Sequence, residues 1–289
     1  MEIFILILSS LISVLSPANL VADKVLEGAV RSQFKQVEQL QVRVDNAPVH
    51  NVAAGKIDRL RIAGRGFYPL EGIRIDTLEL ETDPINISVA DLKKRRYALQ
   101  SPLGVGVRVV IREADVLQAL RSPIVTARIQ QLLRGLNRTK QNLPESGSSD
   151  TPQTLAQDGL RETIDTIRQT VQEYRIVNPR VEFLENRRIQ IQADVEEVKT
   201  GETLKLAIET GLEILEGRQI QFLSPSLSVN GQPFPAELVR GFAENIAKDL
   251  NLERLEKLLQ VRARVFRVRF TDNSLEIAAF VGLPAGFRI

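Results

Sequence analysis

From Thr203 to Ile214 the residues Leu204, Leu206, Ile208, Thr210, Leu212 and Ile214 alternate with Lys205, Ala207, Glu209, Gly211 and Glu213. Successive side chains of an extended chain point to opposite faces, so this run reads as one β-strand with an apolar face and a mostly polar one. Twelve residues at about 3.3 Å each make a strand of roughly 40 Å, around twice the usual length. Strands this long imply a long, curled sheet.

The rest of the chain supplies similar pieces. Leu40, Val42 and Val44 alternate with polar residues, as do Lys56 to Ile62, Val105 to Ile111 and Ile189 to Val195. Each is expected to be a half-buried strand. In Ile73 to Leu80 the apolar parity switches near Asp76, and in Val261 to Phe270 it switches between Val265 and Phe266. A one-residue insertion swaps the faces of a strand, so a bulge or strong bend is expected near Asp76 and a bulge between Val265 and Phe266. Phe270 and Leu275 flank an Asp272-Asn273 hairpin turn, and Asn230-Gly231 marks another turn. Helical spacing appears in Val21, Val25, Ala29 and Val30, and from Glu113 to about Leu136. It recurs in Leu160, Ile164, Ile167 and Val171, and in Val239, Phe242, Ile246 and Leu250. The two halves share a grammar of helices and strands without a repeat.

Two segments stand apart. Ile3 to Leu15 is a run of thirteen uncharged residues followed by Ser16-Pro17-Ala18. It is too short for a comfortable span of roughly 20 residues but fits a signal-peptide hydrophobic region. The first basic residues, Lys24, Arg31 and Lys35, lie after it, so a signal peptide or short anchor, an amphipathic or buried helix and a misassigned start all remain open. Residues 1–17 are set aside on this ground. Asn142 to Gln153, with two prolines, a glycine and three serines, reads as a flexible linker inside a single domain of residues 18–289.

Composition removes most chemistry. The 289 residues contain no cysteine and one histidine, His50, in a turn-like Asn46-Ala47-Pro48-Val49-His50-Asn51 stretch. Disulfides, zinc–thiolate sites, iron–sulfur clusters and multi-histidine metal sites are excluded together, and no cofactor is expected. No nucleophile elbow, phosphate loop or dinucleotide fingerprint occurs, and adjacent carboxylates such as Glu196-Glu197 point to opposite faces of a strand. The chain is therefore expected not to be an enzyme.

Charge is nearly balanced, 38 Lys+Arg against 36 Asp+Glu, so any basic partner surface is local. Two such features exist: Lys93, Lys94, Arg95 and Arg96, and the arginines Arg262, Arg264, Arg267 and Arg269. They suit either a solvated surface or contact with phosphate on a lipid head group or anionic membrane, at about 1 kcal/mol per residue. With no tryptophan, 3 Tyr and 11 Phe, stacking platforms for nucleic acid are few. The same scarcity means that any cavity is walled by Val, Ile and Leu, which suit flexible acyl chains; the same residues also make ordinary cores.

Several pieces occur in a recognisable order. They are the first helix followed by Val37-Glu38-Gln39-Leu40-Gln41-Val42, then Gly55-Lys56-Ile57-Asp58, then Ile73 to Leu80 with Asp83-Pro84-Ile85. The junction Val110-Ile111-Arg112-Glu113-Ala114-Asp115-Val116 follows, and later the Pro-flanked helix near Glu237 and Asn251-Leu252-Glu253. Over about Ala18 to Val281 the chain resembles the bacterial LmeA-type phospholipid-binding family, considered similar to tubular lipid-binding proteins. The resemblance implies an α+β fold in which a long, curled antiparallel sheet wraps amphipathic helices. It also implies an elongated apolar groove and a place in membrane or cell-envelope lipid homeostasis, leaning extracytoplasmic, and it brings no catalytic residues.

The expected activity is non-enzymatic binding of phospholipid or glycolipid acyl chains. Leu204, Leu206, Ile208, Leu212 and Ile214 would form the apolar wall. Lys93, Lys94, Arg95, Arg96, Arg262 and Arg264 would meet head groups or an anionic membrane surface. The alternative is a structural or adaptor protein with a closed core and a basic contact surface. Oligomeric state is not legible.

Overall fold

The computed structural model describes residues 23–45, 55–87, 98–122, 174–197 and 200–287. In chain order the strands are β1 (Gln36–Asp45), β2 (Lys56–Ile57), β3 (Arg59–Leu70), β4 (Ile73–Thr82), β5 (Ile85–Asn86), β6 (Leu103–Arg112), β7 (Tyr174–Leu184), β8 (Arg188–Glu197), β9 (Thr203–Leu215), β10 (Gln219–Val229), β11 (Gln232–Pro233), β12 (Arg262–Thr271) and β13 (Ser274–Leu283). The helices are α1 (Asp23–Ser32), α2 (Glu113–Leu120), α3 (Ala236–Asp249) and α4 (Leu252–Leu259).

These residues are largely β. Six strands pair in the order β1-β3-β4-β6-β13-β12, and five more form a meander, β11-β10-β9-β8-β7. Every pairing is antiparallel. The expected antiparallel architecture with very long strands is therefore present, β9 running thirteen residues. The described strands nevertheless divide between two large open sheets instead of one curled sheet. The described helices lie against strands, α1 on β1, α2 on β4 and β7, α3 on β10, and are not enclosed by a sheet.

The main core belongs to the six-stranded sheet. Val37, Val42, Leu60, Ile62, Leu80, Val105 and Val281 from its strands are sealed together with Val30 and Phe34 beside α1. Phe34 meets Phe67 edge-on at 4.9 Å between ring centroids. Gly64 is what lets this happen, since a Cβ there would strike the Phe67 ring and the Gln39 carbonyl. Each such aliphatic or aromatic burial contributes about 1.5–3 kcal/mol.

A smaller cluster joins the sheets. Val181 and Phe183 of β7 and Leu275 of β13 are buried, with Val116, Leu117 and Leu120 of α2 packed against them. A Glu113 carboxylate oxygen accepts a hydrogen bond from the Phe183 backbone N–H at 2.7 Å, tying the start of α2 to the second sheet.

Three expectations meet the structure with different outcomes. The bulge between Val265 and Phe266 is present, because Val265 pairs with Ala279 and Arg267 with Ala278, leaving Phe266 as the extra residue. No bulge falls at Asp76, because β4 keeps its register with β3 across it, Arg65 opposite Thr77 and Phe67 opposite Ile75. The irregularity lies in the neighbour, where Phe67 pairs with Ile75 and Leu70 with Ile73. Its extra residue falls beside Pro69, which has no N–H to give a ladder. The helix expected to reach about Leu136 ends at Leu120: the N–H groups of Arg121 and Ser122 close tight turns onto Gln118 and Ala119. Pro123 follows and disfavours helical backbone at Ser122.

His50, the apolar segment 1–17, the linker 142–153 and the helix expected around residues 160–171 lie outside the described residues.

Candidate functional site

The apolar positions of β9 share their face with neighbours on both sides. In register, Val195 lies across from Leu204, Ala193 and Val229 flank Leu206, and Ile191 and Leu227 flank Ile208. Further along, Phe222 faces Leu212 and Ile220 faces Ile214. The face stays continuous because β7 and β10 each carry an extra residue. On β10 the register slips between Leu223 and Ser226, so that Ile220 and Phe222 share a side with Leu227 and Val229. On β7 it slips between Val177 and Arg180, bringing Ile176 into line with Val181 and Phe183. Ser224 and Asn178 take left-handed backbone at these slips, with φ of 44° and 49°.

This face is incompletely covered. Leu204, Leu206, Leu212 and Ile214 are half-buried and Ile208 keeps 37% of its surface exposed. Only Val181 and Phe183, at the end packed against α2, are sealed. The opposite face of the same sheet is polar, with Arg188 bonded to Glu209 at 2.6 Å and Arg175 to Glu196 at 2.9 Å. All five residues expected to form an apolar wall are thus on one side of one strand. The apolar face they share continues onto β8 and β10. The alternation of Ile189 to Val195 and the parity switch of β10 are the signals for these additional strands.

The basic residues fare differently. Lys93, Lys94, Arg95 and Arg96 lie outside the described residues. Arg262 is exposed at the start of β12. Arg264 is bonded to the Glu256 carboxylate at 2.6 Å and to the Ala263 carbonyl at 2.7 Å, so its charge is already partnered. Gly217, in the β9–β10 turn, accepts from the Val265 N–H at 2.8 Å and thereby seats that turn, adjacent to Ile214, beside Arg264.

A buried ionic knot was not anticipated. Arg74 donates to Asp115 at 2.6 Å, to Asp76 at 3.2 Å and to Glu38 at 3.1 Å, and Arg112 pairs with Asp76 at 3.0 Å. Asp76 and Asp115 are almost completely buried. The second Asp115 oxygen accepts from the Arg112 backbone N–H at 2.8 Å, satisfying an orphan donor at the start of α2. The hydrogen bond from Arg74 holds the Glu38 carboxyl below its usual range. Burial pulls Asp76 the other way, but the Thr77 hydroxyl and the two guanidiniums outweigh it and its carboxyl also falls. These carboxylates are occupied as acceptors in a structural joint between β1, β4 and α2.

A concavity of about 350 Å³ lies elsewhere, lined by Lys35, Gln36, Tyr68, Glu71 and Gly72. It is not part of the β9 face. No helix among the described residues is long and apolar enough to cross a membrane.

Fold and site together define an open-faced antiparallel β protein that presents a broad apolar surface on one sheet. Its sequence matches the model of a family described as LmeA-like phospholipid-binding over residues 14–280, and the chain belongs to that family. Membership makes it a protein of a phospholipid-binding kind, with no catalytic role attached to the family description. No curated protein and no solved structure matches the chain.

Proposed function

We propose that the protein binds a phospholipid non-enzymatically, with the acyl chains lying against the apolar face of the five-stranded sheet. The observation that carries this is the half-open state of a continuous face: Leu204, Leu206, Ile208, Leu212 and Ile214 are aligned, flanked by apolar neighbours, and none is sealed. Family membership supplies the ligand class. Each methylene transferred from water to such a face contributes about 0.8 kcal/mol, so a few contacting carbons per chain suffice for retention. The absence of tryptophan and the aliphatic lining favour acyl chains over rings.

Head-group contact falls to Arg262, with Lys93, Lys94, Arg95 and Arg96 as the other cationic cluster of the chain. Arg264 serves this role only by leaving Glu256. A single domain of residues 18–289, tubular lipid-binding architecture, membrane association in a cell envelope and a part in lipid homeostasis belong to the same proposal, with phospholipid preferred to glycolipid on family grounds.

The test is native mass spectrometry of the full chain purified without detergent, followed by extraction and identification of what co-purifies. Phospholipid at a stoichiometric level is expected, and it is expected to vanish in a folded Leu206→Asp/Ile208→Asp variant. Retention unchanged in that variant overturns the wall. A chain that is empty and refuses offered phospholipid overturns the function.

A further inference from the structure

The bulge in β12 has a second effect on the residues around it. Before the bulge Arg262 pairs with Gly282 and Arg264 with Phe280; after it Arg267 pairs with Ala278 and Arg269 with Glu276. All four partners are even-numbered residues of β13 and share one face, so the bulge keeps all four arginines on that face. A regular strand would have sent Arg267 and Arg269 to the other side.

The extra residue itself is Phe266, 72% exposed, the most exposed large apolar side chain among the described residues. Its ring lies 6.4 Å from that of Phe280. Around it Arg262, Arg267 and Arg269 are exposed and have no carboxylate within ion-pair distance among the described residues. Glu276, directly across from Arg269, is bonded to Arg108 at 2.8 Å and is only at longer range attracted by Arg269 and Arg267. One protruding aromatic is therefore exposed to solvent on an edge strand, on the strand that also carries the exposed Arg262, Arg267 and Arg269.

An edge strand invites pairing with another chain, but this edge is partly closed. The Ala263 N–H donates to Glu256 at 2.7 Å and the Val265 N–H to the Gly217 carbonyl at 2.8 Å, so two donors that an added strand would need are taken. Strand addition is disfavoured by this geometry. A flat anionic layer with an apolar interior needs no backbone donors. It matches both the charge and the ring, since a Phe ring buries at the boundary between head groups and acyl chains and arginines meet lipid phosphate.

We propose that the β12 bulge is a membrane-docking point, at which Phe266 enters the head-group layer of an anionic bilayer and Arg262, Arg267 and Arg269 contact lipid phosphates. The proposal rests on the function proposed above for its lipid partner and for the head-group role of Arg262, and it concerns the six-stranded sheet, not the β9 face. Docking here brings the β9–β10 turn, bonded to Val265 through Gly217, close to the bilayer.

The chain contains no tryptophan, so Phe266→Trp introduces a single indole reporter. The full chain carrying it is mixed with vesicles of phosphatidylglycerol and phosphatidylcholine, or of phosphatidylcholine alone. The expected result is a blue shift on the anionic vesicles, with quenching by lipids brominated near the head-group end of the acyl chain, and neither on the neutral ones. Arg267→Gln and Arg269→Gln are each expected to weaken the anionic partition roughly fivefold, the equivalent of about 1 kcal/mol per charge. An indole that stays solvent-exposed on anionic vesicles overturns the proposal, as does a blue shift that grows with protein concentration in the absence of lipid, which assigns the patch to a second copy. Phospholipid that still co-purifies with a chain showing no shift removes docking alone. Insertion by a chain that retains no lipid removes the groove alone.

Discussion

Leu60 of β3 and Ile208 of β9 are both aliphatic residues at apolar positions of long antiparallel strands, yet Leu60 is fully sealed and Ile208 keeps 37% of its surface exposed. The six-stranded sheet closes its inner face with α1, the Phe34–Phe67 pair and the segment around Ile85, Ile87 and Leu99. Among the described residues, the five-stranded sheet carries α3 along β10 and seals its apolar face only where Val181 and Phe183 meet α2 and β13. The same alternation therefore serves two ends. One sheet supplies the molecule's core, and the other keeps an apolar surface available.

The largest difference is expected when a carboxylate is placed in each sheet. Leu60→Asp buries a charge without a partner and should cost on the order of 4 kcal/mol or more, enough to abolish cooperative unfolding in urea. Ile208→Asp should cost under about 1 kcal/mol in the same experiment while removing bound lipid. Equal destabilisation by the two would erase the distinction between core and open face.

Next in size is the ionic joint of the closed sheet. Arg74→Met removes the guanidinium paired with buried Asp115, leaves Asp76 with that of Arg112, and should cost about 3–5 kcal/mol at pH 7. The joint also sets the acid response. Glu38 and Asp76 have carboxyls held below their unfolded values, so their stabilisation is complete above the unfolded carboxyl range, about pH 5, and is lost as pH falls through the folded values. Urea midpoints of the parent should fall between pH 5 and pH 3. In Arg74→Met that fall should shrink or reverse, because protonation relieves the Asp115 carboxylate left without its guanidinium.

Smaller and opposite in sign are two glycine replacements. At Gly64, against the Phe67 ring and the Gln39 carbonyl, Ala should cost about 1–3 kcal/mol. At Gly241, in α3 beside β10, nothing lies within 4 Å of an added Cβ, and Ala should raise stability by about 0.5–1 kcal/mol. Thermal midpoints moving in the same direction would mean that the packing of the two regions is more alike than their burial indicates.

Much of this was legible in the residues. The length and faces of β9, the bulge at Phe266, the Asn230-Gly231 turn and the start of α2 follow from alternation, parity and turn chemistry, all local properties. The Asn251 side chain accepts from the Glu253 N–H at 2.8 Å to open α4, and the quoted Asn251-Leu252-Glu253 stretch contains that cap. The bulge assigned to Asp76 was misplaced because a parity switch records that faces change, not which of two paired strands carries the extra residue. Arg74 gave no signal at all. Its partners, Glu38, Asp76 and Asp115, come from three separate segments, and a lone arginine in a strand normally reads as solvated.

What the sequence by itself determined is the alternation of apolar and polar residues, and with it the strands, their faces and the places where a face must switch. Family membership over residues 14–280 is likewise written in the order of those pieces. Which apolar face became core and which stayed open was decided only in three dimensions. Burial depends on what other segments cover, and Leu60 and Ile208 have the same local pattern but different neighbours across the fold.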